Sequence, residues 1–227
     1  DDLKNISVTH EEIRESLIEL IRANTLVNNK GCIYSPYMFK AEVELAKMIA
    51  ARTFVKSFAY PNLDFVVESA QKCRSIMLSK AQSEAVKMCF RNNFSVITGG
   101  PGTGKSTVLK VVIDVYKALT GRDDILLAAP TGKAAKRMAE CTGIPGARTI
   151  HSALALNTDE AESDVEIEEG LVVIDETSMV DLSIAYKLMK SIGPNTRIVF
   201  VGDADQLPSV GAGNVFFDIL RSECVPI

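Results

Sequence analysis

The chain has 227 residues, of which 25 are basic and 29 acidic, for a net charge of −4; it is 47% hydrophobic and 24% charged, and it has no Trp. This composition excludes a collagen-like, low-complexity or wholly disordered chain, and at roughly 100–200 residues per domain the length holds one large domain or two small ones. The acidic balance argues against a general nucleic-acid binder, whose charge footprint is basic, unless the charge is unevenly spread.

Thr9-x-x-Glu12 forms a capping box ahead of Ile13, Leu17, Leu20 and Ile21, which recur at helical spacing and predict a first helix. Leu26-Val27, the turn residues Asn28-Asn29-Lys30-Gly31 and Cys32-Ile33-Tyr34 read as a short hairpin. Pro36 opens a second helical pattern, with Phe39, Val43, Ala46 and Ile49 on one side, and a third helical stretch covers residues 62–77. Helices around a small hairpin suggest a winged-helix-like module over residues 1–75. No basic cluster marks a recognition helix there, so its role is read as structural.

From Ser79 onward, helices alternate with buried strands. Phe94-Ser95-Val96-Ile97-Thr98 is a strand, and a Gly-rich loop and a helix from Gly104 to about Leu119 follow it. Ile125 to Ala129, Leu171 to Ile174 and Arg197 to Val201 are further strands, with helices after Thr131 and from Asp181 to Met189. Continuous apolar strands separated by helices imply an α/β domain over residues 76–227, a parallel sheet covered on both faces.

One segment is biased: Asp159, Glu160, Glu162, Asp164, Glu166, Glu168 and Glu169 crowd into residues 159–169. It reads as a solvated loop or a short exposed hairpin, and it lacks the order of a calcium loop. Residues 1–78 are neutral, and outside the acidic segment the remainder is net basic. The argument against nucleic acid thus shrinks to one local stretch.

The start, Asp1 to Asn5, lacks the basic and apolar regions of a signal peptide, and no apolar run reaches the ~20 residues that span a bilayer. The cysteines, Cys32, Cys73, Cys89, Cys141 and Cys224, are scattered without a C-x-x-C pair. They read as reduced thiols of a cytoplasmic protein that has no membrane partner.

Gly99-Gly100-Pro101-Gly102-Thr103-Gly104-Lys105-Ser106 satisfies G-x-x-x-x-G-K-[ST] between a predicted strand and a predicted helix. Glycines let backbone amides turn inward around phosphates, and the helix start adds unpaired N–H groups. Lys105 would reach the β- and γ-phosphates of ATP, Ser106 would ligate Mg²⁺, and Thr107 would add a hydroxyl at the α-phosphate. A P-loop needs a metal-holding acid at the end of a neighbouring strand. Val172-Val173-Ile174-Asp175-Glu176 supplies Asp175 for Mg²⁺ and Glu176 to polarise the attacking water.

Three polar clusters narrow the class: Ala129-Pro130-Thr131-Gly132-Lys133, Thr149-Ile150-His151-Ser152, and Gly202-Asp203-Ala204-Asp205-Gln206-Leu207-Pro208. With the two motifs above, the series resembles the first motor domain of superfamily-1 DNA helicases, and within them the RecD/TraA-like branch, which moves 5′ to 3′. The resemblance covers residues 78–227 closely and the N-terminal segment loosely. It implies a P-loop, RecA-like fold and ATP-driven movement on single-stranded DNA. It also implies that Gln82 reads adenine, although Ser79-x-x-Gln82 is a capping box too and the two roles compete for one amide. Thr131, Gly132, Lys133, Thr149 and His151 match the DNA-facing motifs, and Gln206 matches the residue that couples the γ-phosphate to the strand. Asp203 and Asp205 read equally as turn-formers and as nucleotide contacts. A strand-splitting pin at the acidic segment is a further implication. Family members continue into a second motor domain that supplies arginines to the γ-phosphoryl. None is seen here, so the chain is expected to be a fragment, weakly active or inactive alone. Partner helicase or nuclease subunits are left open.

Overall fold

A computed structural model describes residues 8–54, 59–156 and 165–227. Asp159, Glu160, Glu162 and Asp164, and with them most of the proposed hairpin or pin, lie outside the described residues.

Helix α1 spans His10–Arg22, and its capping box is formed: the Thr9 amide donates to Glu12 Oε2 at 2.8 Å and the Glu12 amide to Thr9 Oγ1 at 3.3 Å. The hairpin pairs β1 (Val27–Asn29) with β2 (Cys32–Tyr34) in the register Val27↔Tyr34. Lys30 and Gly31 both take positive φ, 51° and 88°, the geometry that suits a two-residue turn to the strand twist. Helix α2 (Pro36–Phe54) follows, then α3 (Leu63–Cys73) and α4 (Lys80–Arg91).

The chain divides into two compact units, Asp1–Glu44 and Leu45–Ile227. The change of pattern along the chain predicts a border at 75/76 instead. The difference has a packing cause: Leu63, Val67 and Ala70 of α3 are buried in the core of the second unit, with Val86 and Phe90 of α4.

The second unit is built on a sheet of five parallel strands: β3 (Phe94–Thr98), β4 (Ile125–Ala129), β5 (Arg148–Thr149), β6 (Leu171–Ile174) and β7 (Arg197–Gly202). Between them run α5 (Lys105–Thr120), α6 (Gly132–Thr142), the short α7 (Ile150–Ala153) and α8 (Leu182–Ser191), and α9 (Val215–Ser222) closes the unit. Val173, Val199 and Val201 join the cluster formed with α3, α4 and α5. Val172, Ile198 and Phe200, of opposite parity, are equally buried. Both faces are therefore covered, which explains why the strands are apolar without alternation. On the second face Phe200 meets Phe94 edge to face, ring centroids 5.0 Å apart.

The strand order is β3-β7-β6-β4-β5. This corrects one expectation: the strand that leads to Asp175 is not beside the P-loop strand, because β7 lies between them. The acidic segment is also less free than a solvated loop at its described end. Ile167 is buried and bridges Ile192, and Arg148 donates to Glu169 at 3.5 Å. No helix among the described residues is long and apolar enough to cross a membrane.

Candidate nucleotide site

Because every strand runs the same way, one sheet edge collects every carboxyl end. The registers Thr98↔Gly202, Ile174↔Phe200 and Ala129↔Thr149 bring the five motifs that follow these strand ends to that edge. Ligands of open α/β sheets bind there.

The loop after β3 holds its shape through glycine. Gly102 and Gly104 sit at φ 75° and 87°, in the left-handed region that other residues avoid. Thr103 Oγ1 donates to the Gly100 carbonyl at 2.9 Å. Lys105 Nζ donates to the carbonyls of Gly99 and, at 3.0 Å, Gly100, so its ammonium lies over the loop. Ser106 and Thr107 are half-buried in the first turn of α5, and Pro101 is exposed at the loop tip.

Gln82 uses both ends of its amide. Its Oε1 accepts from the Ser79 amide at 2.9 Å, and its Nε2 donates to the Thr103 carbonyl at 2.9 Å. The capping role is realised together with a tie to the P-loop that sequence reasoning missed. The same amide is thus committed before any base approaches.

Asp175 follows β6 and is anchored by its amide, which donates to the Ala128 carbonyl at 3.0 Å. Its Oδ1 accepts from the Glu176 amide at 2.9 Å. Burial raises its carboxyl above the ordinary aspartate range; that amide bond, Lys105 and Arg137 pull the other way, while the Glu176 charge adds to the rise. A half-buried carboxylate that feels the charge of the P-loop lysine is suited to a divalent cation, whose charge would reverse the burial effect. Among the described residues no cluster of three His, Cys, Asp or Glu could hold a metal. A Mg²⁺ ion bound mainly through phosphates and water fits this sparse donor set of Ser106 and Asp175. Glu176 itself takes φ 52°, a left-handed conformation uncommon outside glycine, Asn and Asp. From there the chain enters a single 3₁₀ turn, Thr177–Met179.

Gln206 sits in the turn after β7. Its amide donates to the Asp203 carbonyl at 3.3 Å, and the buried Asp203 carboxylate accepts from the Asp205 amide at 3.0 Å. Asp203 thus takes the turn-forming role. Ser178 Oγ donates to Gln206 Oε1 at 3.2 Å, a contact between motifs 28 residues apart that the sequence did not signal.

The remaining candidates lie along the same edge. Thr131 caps α6, its hydroxyl accepting from the Ala134 amide at 3.2 Å, and Thr149 caps α7, accepting from the Ser152 amide at 3.1 Å. Both hydroxyls therefore already serve as caps. Gly132, Lys133 and His151 are exposed. Arg137, not foreseen, projects from α6 close enough to bear on Asp175.

The parallel sheet and its loop define a P-loop nucleotide-binding domain of RecA-like fold. A family model described as an AAA domain matches residues 82–212, more than half of the chain, and the chain belongs to that family. The chain is also similar to RecD proteins. It is 36% identical over 200 residues to the ATP-dependent RecD2 DNA helicase of Deinococcus radiodurans, covering 86% of this chain and 27% of that protein. It is 37% identical over 166 residues to the RecBCD enzyme subunit RecD of Mycolicibacterium smegmatis, covering 62% of this chain and 30% of that one. Among solved structures, a Pif1 helicase from Candida albicans aligns with 25% identity and a TM-score of 0.48, over 67% of this chain and 39% of that one. The chain spans under a third of the length of these two curated relatives.

Proposed function

We propose that this chain is the first motor domain of an ATP-dependent 5′-to-3′ DNA helicase, which couples ATP hydrolysis to movement on single-stranded DNA. One observation carries the reading. A single sheet edge bears the loop 99–104, the pair Asp175–Glu176 and Gln206, and also the exposed residues Gly132, Lys133 and His151.

In this reading the loop amides from Gly100 to Gly104 and the Lys105 ammonium hold the phosphates of ATP. To do so Lys105 exchanges the Gly99 and Gly100 carbonyls for phosphate oxygens. Ser106 and Asp175 hold Mg²⁺, which neutralises charge on the transferring phosphoryl group. Thr107 adds its hydroxyl at the α-phosphate. Gln82 acts through the loop, by its bond to Thr103, and thereby senses nucleotide binding from α4. Glu176, held in its left-handed turn, polarises the attacking water. Gln206 meets the γ-phosphate with its carboxamide. On the DNA side, the N-terminus of α6 with Lys133 suits a phosphate of the strand, and Thr131, Thr149 and His151 line the same path.

The test uses the full-length protein. Turnover of ATP should rise with single-stranded DNA and fall to background in Lys105→Ala. Glu176→Gln should keep Mg–ATP binding while losing about 10²-fold or more in turnover. Duplexes with a 5′ tail should be unwound and those with a 3′ tail left intact. Turnover indifferent to DNA would leave a P-loop ATPase of another kind. Unchanged turnover in Glu176→Gln would remove Glu176 as the base.

A further inference from the structure

A carboxamide has a donor end and an acceptor end of nearly equal shape, and only one suits a phosphate. If Gln206 meets the γ-phosphate, its Nε2 must face the nucleotide and its Oε1 must face the protein. An oxygen turned toward the phosphate would add repulsion. Some protein group must therefore satisfy Oε1, and the structure supplies one: Ser178 Oγ donates to it at 3.2 Å.

Ser178 is not a casual neighbour. It is 2% exposed and lies in the single turn that begins one residue after Glu176. That turn is pinned at both ends. Thr177 Oγ1 donates to the Ile174 carbonyl at 3.0 Å, and the amides of Met179 and Val180 donate to the carbonyls of Glu176 and Thr177, each at 3.0 Å. Ser178 cannot shift without carrying the backbone of Glu176 with it. On the other side, Gln206 is fixed at its backbone by the turn built on Asp203. Only its side chain is left to respond.

We propose that Ser178 is a positioning residue for the proposed ATPase: its hydroxyl fixes the Gln206 carboxamide donor-outward and links it to the turn that carries Glu176. The relay runs from Ser178 O–H to Gln206 Oε1, and from Gln206 Nε2–H to a γ-phosphate oxygen. Each bond polarises the next, so the donor end is strengthened as well as oriented. When the phosphate leaves, Gln206 loses its outer partner, and the change reaches Glu176 through Ser178 rather than through the nucleotide. The inference rests on the helicase reading above, in which Gln206 faces the γ-phosphate.

The test is a double-mutant cycle in the full-length protein, read as turnover at saturating ATP and single-stranded DNA, with KM for ATP and thermal unfolding measured beside it. Ser178→Ala should lower kcat by roughly five- to ten-fold, the worth of one hydrogen bond, with KM nearly unchanged. In a Gln206→Ala background the same substitution should cost nothing further, because the group it positions is gone. Ser178→Cys keeps the side-chain shape with a slightly larger atom and weakens the donor. It should unfold like the wild type yet turn over between wild type and Ser178→Ala, which separates the hydrogen bond from packing. Equal losses in both backgrounds, or wild-type kcat in a folded Ser178→Ala, would overturn the proposal while leaving the helicase reading intact. If Gln206→Ala itself turns over like the wild type, the sensing role fails, and the positioning role falls with it.

Discussion

Arg52 offers the sharpest test of how the site's framework is held. It is 8% exposed, and its guanidinium donates to four carbonyls of one loop: Ile192 at 2.7 Å, Gly193 at 2.9 Å, and Pro194 and Thr196 at 3.3 Å each. That loop leads directly into β7, which carries Asp203 and Gln206 at its far end. Burial lowers the Arg52 pKa, but the group stays charged at any ordinary pH. The two short bonds are each worth about 1.5–3 kcal/mol as charge-assisted bonds. The two long ones add little. Relief of the buried charge returns part of this, so Arg52→Met, which keeps the apolar stem, should cost about 2–4 kcal/mol. For a protein this size that corresponds to a fall in Tm of about 5–15 °C. Urea melts should show a lower midpoint at unchanged slope, the mark of lost stability rather than a changed unfolded state. Arg52→Lys, with one ammonium in place of a fork, should fall between. An Arg52→Met protein within about 1 kcal/mol of the wild type would refute the claim that these carbonyls depend on Arg52.

Two further outcomes follow from the site. Burial raises the Asp175 carboxyl, so the folded state binds this proton more tightly than the unfolded chain does. Its stabilising contribution is therefore present at low pH and lost as pH rises from the ordinary aspartate range through the raised value. Without nucleotide and Mg²⁺, Asp175→Asn should raise Tm at pH 7, with the gain vanishing in acid, while Mg²⁺-dependent nucleotide binding is lost; a lower Tm at pH 7 would contradict this. Gly104→Ala places a methyl 2.5 Å from Gln82 Nε2 at φ 87°, whereas Gly31→Ala at φ 88° meets nothing within 4 Å. Both pay about 1–2 kcal/mol of left-handed strain, but only Gly104→Ala should also break the Gln82–Thr103 tie, for about 1 kcal/mol more and a weaker grip on nucleotide. Equal thermal losses would mean that the tie contributes nothing.

What the sequence revealed and what it withheld divide along contact distance. The P-loop was legible because its glycines, Lys105 and Ser106 must be consecutive for backbone amides to close around a phosphate. The strands were legible because a strand covered on both faces has to be apolar throughout. Capping boxes at Thr9 and Ser79 were legible because a cap reaches only three residues. By the same logic α9 was missed: its apolar face, Val215, Phe216 and Ile219, is short, and it packs where Gly202 leaves room for the Phe216 ring. Strand order was missed as well, since a parallel sheet of helix-linked strands can be threaded in several ways that leave each strand's pattern unchanged.

The site's finer parts are withheld for a different reason. Gln206 and Ser178 lie at the ends of adjacent strand segments, β7 and β6, whose registers pair Val199 with Val173. Nothing in either motif encodes that pairing. Serine is a common residue, and between Thr177 and Met179 it carries no local signal of its own. Only the insertion of β7 between β3 and β6 makes its hydroxyl meaningful. That insertion places Gln206 between the phosphate loop on one side and Asp175 and Glu176 on the other. The turn after β7 therefore emerges between the two halves of the proposed site, and this strand order is the physical basis for proposing Gln206 as a sensor.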